Sequence, residues 1–122
     1  MNRPQSVPQL DPLYAAIRRS DPIRPAVLLD VRERDEFLAV RVEGSLFIPM
    51  SQLGVRVDEI PSDRPILVMC ASGSRSVSAT SFLLQRGWTD VGSVASGIDG
   101  WQRMGLPVKH GPLAEGEGRL PG

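Results

Sequence analysis

The chain has 122 residues, enough for one domain with one hydrophobic core. Hydrophobic residues make up 41%, charged residues 23%, and the formal net charge is +0, so neither nucleic acid nor an anionic membrane is expected as a partner. The single cysteine excludes an internal disulfide and a cysteine-cluster metal site, and no apolar run approaches the roughly 20 residues of a membrane span.

Residues 1–9 are polar and proline-bearing and are expected to be loose. They lack the hydrophobic stretch of a secretory leader, which points to the cytoplasm. Asp11-Pro12 then opens a helix, with Asp11 as N-cap and Pro12 at the first helical position. Leu13, Tyr14 and Ile17, with the preceding Leu10, fall on one face of it, and Asp21-Pro22 ends it. Ala26-Val27-Leu28-Leu29-Asp30 reads as a buried strand ending in an acid. Arg32 and Glu36 follow at helical spacing, and Phe37-Leu38 give that short helix an apolar face. Asp30 and Arg32 fit either a helix cap with a surface ion pair or a place near an active site.

A turn and a short strand are predicted over Arg41–Pro49, then a helix capped by Ser51 and running through Leu53, Val57 and Ile60. Pro65-Ile66-Leu67-Val68-Met69 is an apolar run of buried-strand type. The loop Cys70-Ala71-Ser72-Gly73-Ser74-Arg75-Ser76 follows, and Val77–Gly87 reads as a helix ending at a glycine. A weak strand over Trp88–Ala95 and a short helix over Gly97–Met104 come next, with Trp88 and Trp101 expected in the core. Residues 109–122 are rich in glycine and proline and are expected to be a loose tail, leaving 10–108 as the domain. Strands alternating with helices argue for an α/β fold, a doubly wound parallel sheet flanked by helices on both faces. Ligands of such sheets bind beyond the carboxyl ends of the strands, where Asp30 and Cys70 both stand.

The lone cysteine therefore sits where a strand stops and a helix begins, in a loop of small residues. Backbone amides of such a loop, with a helix N-terminus behind them, favour an anion and hence a thiolate. Arg75 is in reach to add positive charge. The only histidine, His110, lies in the tail, so a Cys-His pair is poorly supported.

Cys70–Ser76, with Asp30-Val31-Arg32-Glu33 upstream and Ser96-Gly97-Ile98-Asp99-Gly100-Trp101 downstream, resembles a single-domain rhodanese from about Ala26 to Val108. The resemblance implies that Cys70 is the catalytic nucleophile and carries a sulfane sulfur as a persulfide. It implies that the loop residues Ala71, Ser72, Gly73, Ser74, Arg75 and Ser76 bind the substrate sulfur. It also implies that Asp30-Val31-Arg32 supports the active-loop end of the sheet, and that the Gly97–Trp101 segment packs close to the loop. Where many rhodaneses have a histidine and a proline in the turn before the third strand, this chain has Arg41 and Glu43. The implied activity moves a sulfane sulfur from thiosulfate or a persulfide to a thiol or cyanide, and an accepting protein is a further partner class. No cofactor or metal is expected. Two alternatives compete with it. One is a persulfide carrier or redox-sensing module without turnover. The other is a cysteine phosphatase or arsenate reductase, whose loop places five residues between cysteine and arginine, whereas four separate Cys70 from Arg75 here.

Overall fold

The computed structural model describes residues 6–120. Of the segment expected to be loose at the start, residues 1–5 lie outside the described residues. The rest leads directly into the sheet. Strand β1 is Gln9–Leu10, β2 Val27–Asp30, β3 Leu46–Phe47, β4 Ile66–Met69 and β5 Val91–Val94. All pair in parallel, in the order β1-β5-β4-β2-β3. Helices α1 (Pro12–Arg19), α2 (Arg34–Ala39), α3 (Ser74–Gln85) and α4 (Gly97–Arg103) alternate with the strands.

Each central strand sends alternate side chains to opposite faces, which is the period of an extended chain. Val27, Leu29, Ile66, Val68 and Cys70 face α3, joining Ala79 and Leu83 in one core. Leu28, Leu67 and Met69 face α1 and α4, joining Ala15, Ile98 and Trp101 in the other. Buried on both faces, the strands have no polar side to show, so they read as continuous apolar runs. From the middle of the sheet β2 leads outward to β3, whereas β4 leads the other way to β5. The carboxyl ends of β2 and β4 thus flank the point where the winding reverses, the place at which sheets of this kind bind their ligands.

Four elements differ from expectation. Helix α1 is capped by Asp11 with Pro12 at its start, as the sequence predicts. Its buried residues are however Pro12 and Ala15, while Leu13, Tyr14 and Ile17 are 52%, 44% and 60% exposed. Small residues win the inner face because α1 lies close against α4, where a Cβ on Gly100 would stand 3.4 Å from the Pro12 ring. The helix expected after Ser51 is instead two 3-10 turns, Met50–Gln52 and Val57–Glu59. Leu53 and Ile60 still reach the core, but from separate turns, with Gly54 and the exposed Val55 between them. Arg32 and Asp30 form no surface pair: both are 2% exposed, joined at 2.8 Å.

The fourth difference is the tail. Residues 109–120 form a strap across the β3 edge. Arg41 and Lys109 exchange backbone hydrogen bonds, and the Phe47 amide donates to the Gly118 carbonyl at 2.8 Å. Arg41, fully buried, donates to the Glu117 carboxylate and to the carbonyls of Gly111 (2.7 Å) and Pro112 (3.1 Å). The strap is held by hydrogen bonds and one ion pair rather than by an apolar stripe, so hydrophobic periodicity carries no trace of it.

Candidate active site

Strand β4 leads directly into Cys70, which is fully buried, so its sulfur lies at the floor of the loop rather than on the rim. The loop is shaped from below by α4. The amides of Ile98 and Asp99 donate to the carbonyls of Cys70 (2.9 Å) and Ala71 (3.0 Å). These are first-turn donors that a helix leaves unpaired, and here loop carbonyls take them. The contact is so close that a Cβ on Gly97 would lie 2.3 Å from the Cys70 carbonyl oxygen, at a backbone φ of +54°. Gly97 is thus fixed by space as well as by conformation. With these two carbonyls bound to α4, the loop brings one backbone amide to the sulfur. Gly73, at φ +109°, donates its N–H to Cys70 Sγ at 3.1 Å.

On the other side of the sulfur stands Ser76 Oγ, 3.3 Å away. That hydroxyl is 2.7 Å from Ser93 Oγ and 3.2 Å from the Gly73 carbonyl. Both serines are fully buried. When the sulfur is an anion, the Ser76 proton turns toward it and Ser93 donates to Ser76 in turn. The second hydroxyl therefore lets the first one donate without leaving its own oxygen unpaired.

Arg75 does not point at the sulfur. Its guanidinium forms a two-pronged pair with Glu36 of α2, with Nη1–Oε1 and Nη2–Oε2 both 2.7 Å. Hydrogen bonding from Arg75 holds the Glu36 carboxyl down at about 2, and the carboxylate holds Arg75 above its ordinary value. The loop's cation is thus neutralised by a neighbour. Its positive charge bears on Cys70 only at longer range. Asp30 and Arg32 extend the same framework. Arg32 takes both Asp30 oxygens and donates to the backbone carbonyls of Glu36 (3.1 Å) and Val40 (2.6 Å). The end of β2, helix α2 and the active loop are therefore riveted together by two arginines.

A rhodanese-like domain model matches residues 10–104. The chain belongs to the rhodanese-like family. It is 39% identical over 84 residues to a thiosulfate sulfurtransferase GlpE of Actinobacillus succinogenes, covering 69% of this chain and 76% of that protein. It is 37% identical over 82 residues to a sulfurtransferase of Allochromatium vinosum, covering 67% of this chain and 77% of that one. A solved rhodanese-related protein of Thermoplasma volcanium superposes with a TM-score of 0.72 at 32% identity, over 84% of this chain and 97% of that one. The chain is a rhodanese-type sulfurtransferase. Its parallel sheet with helices on both faces is the rhodanese-like architecture.

In this rhodanese the loop residues singled out from sequence separate into distinct places. Cys70, Gly73 and Ser76 meet at the sulfur. Ser72 and Ser74 are exposed at the rim, Ala71 offers its carbonyl to α4, and Arg75 serves α2. His110 is exposed, with Nδ1 2.9 Å from the Ala39 carbonyl. Sequence reasoning misses Ser93 and Glu36. The signal for Ser93 is a hydroxyl inside the apolar run Val91–Val94, where a buried polar side chain demands a partner. Spacing makes Glu36 a partner of Arg32, but Arg32 takes its backbone carbonyl and leaves the carboxylate for Arg75.

Proposed function

We propose that Cys70 is the nucleophile and that sulfur passes through it as a persulfide. The thiolate attacks the sulfane sulfur of thiosulfate. A new Sγ–S bond forms, the S–S bond of the donor breaks, and sulfite leaves with the electron pair. A thiolate or cyanide then attacks the outer sulfur, the Sγ–S bond breaks, and the Cys70 thiolate is restored. A persulfide donor enters by the same displacement, with a thiolate as leaving group.

The observation that carries this reading is the position of Sγ, between the Gly73 N–H and the Ser76 hydroxyl at the floor of a loop whose first two carbonyls are bound elsewhere. Donors arranged before reaction stabilise charge without reorganising when it develops. The phosphatase alternative fares worse, because the arginine that would hold an oxyanion is committed to Glu36. Thiosulfate as donor follows the names of the curated relatives. A cytoplasmic setting suits the chemistry, since reduced thiols there supply the acceptor. Among the described residues, no helix is long and apolar enough to cross a membrane.

The test is intact mass after incubation with thiosulfate. The chain should gain the mass of one sulfur atom, a thiol reductant should remove it, and Cys70→Ser should never gain it. Turnover of thiosulfate by Cys70→Ser would overturn the mechanism. Loading without turnover, with every small acceptor tried, would favour the carrier role.

A further inference from the structure

At the carboxyl end of β3, a cavity of about 270 Å³ opens between α2, the turn after Pro49 and the strap. Arg34, Arg56 and Arg119 line it, together with Phe47, Gln52 and Glu117. These charges do not cancel within the wall. Arg56 is occupied by Glu59, at 2.7 Å and 2.9 Å, and by Gln52 Oε1 at 2.8 Å. Glu117 is occupied by Arg41 and, at 3.3 Å, by Lys109. Arg34 and Arg119 remain. Among the described residues, neither guanidinium has a carboxylate within ion-pairing distance or a hydrogen-bond acceptor. Glu59 feels Arg119 only weakly, behind its bond to Arg56.

Two arginines with no partner among the described residues thus line one concave space from different elements, α2 and the strap. Planar guanidinium forks match the oxygens of a tetrahedral oxyanion, and two of them balance two negative charges. We propose that this cavity binds a doubly charged oxyanion of the sulfate or phosphate type, at a place separate from the Cys70 loop. The strap supplies Arg119 and one wall, so the site exists only with residues 109–120 in place. Nothing in this site depends on the sulfur-transfer mechanism.

The experiment is calorimetric titration of the full chain with inorganic sulfate at low ionic strength. Sulfate is the probe because, unlike thiosulfate, it has no sulfane sulfur to give to Cys70. Saturable binding of one sulfate is expected, weakened about tenfold by Arg34→Gln or Arg119→Gln, with unfolding temperatures unchanged because both side chains are exposed and unpaired. Cys70→Ser should bind as the wild type does. A parallel titration with methyl phosphate distinguishes the source. Equal affinity assigns a free ion, and tighter binding assigns the phosphate end of a larger molecule. No saturable binding, or binding lost in Cys70→Ser and kept in the Arg34→Gln/Arg119→Gln double variant, overturns the proposal.

Discussion

Replacing Glu117 by glutamine keeps the shape of the strap and removes one charge. Arg41 then stays fully buried without its counter-ion. Hydrogen bonding from Arg41 holds the Glu117 carboxyl at about 2, against an ordinary value of 4.5. Each unit of that difference corresponds to about 1.4 kcal/mol, which sets a ceiling of about 3.5 kcal/mol. The Glu117 side chain keeps 9% of its surface exposed, so solvent screening lowers the expected loss to about 2 kcal/mol. For a domain of this size that is a fall in melting temperature of roughly 8 °C. The pH dependence has a definite sign. The folded-state value lies below the unfolded one, so the stabilisation is complete above about pH 4.5 and is lost as pH falls toward 2. Urea unfolding of both proteins between pH 7 and pH 3 measures it. The gap between them should be widest at neutral pH and narrow below pH 4.5. A gap under about 0.5 kcal/mol at pH 7, or one that stays constant as the pH falls, would mean that buried Arg41 does not depend on this carboxylate.

Gly97→Ala should abolish sulfur transfer and cost more than about 2 kcal/mol of stability, because the new methyl group meets the Cys70 carbonyl at 2.3 Å; wild-type rates in this variant would mean the α4 contact does not shape the loop. Ser93→Ala should slow transfer about tenfold with little change in stability, and Ser93→Thr should restore part of the rate if the hydroxyl rather than packing is what matters. No histidine lies at the sulfur, so release of a loaded sulfur should follow the ionisation of the acceptor; stopped-flow release with two thiols of different pKa should give two midpoints, and one shared midpoint would place control on a protein group.

The central strands are legible in the sequence because burial on both faces leaves an unmistakable apolar run, and α1 declares its start through Asp11-Pro12. Cys70 stands out because it is the one thiol in the chain and falls between such a strand and a helix N-terminus, where an anion is stabilised. What the sequence hides is pairing. Spacing along the chain offers Arg32 to Glu36, yet the partner of Glu36 stands 39 positions away on another element. Arg41 looks like a departure in a turn, and its partner is 76 positions on. The exposed face of α1 misleads for a related reason. A helix face counted by hydrophobicity favours Leu13, Tyr14 and Ile17, but the close approach to α4 admits only small residues.

The strap also changes what the molecule shows to its own copies. Strand β3 is an outer strand of the sheet, and an uncovered outer strand is a template on which another chain can add. The Phe47 amide is already taken by Gly118, and a Cβ on Gly118 would stand 3.3 Å from the Phe47 side chain, so the strap lies flush on that edge. Removing it after Val108 would do more than weaken the fold. It would uncover the stacked rings of Phe37 and Phe47, 4.3 Å apart, beside a free row of backbone donors and acceptors. The shortened chain should then self-associate in a concentration-dependent way, and a charge placed on β3 should suppress that association without rebuilding the strap.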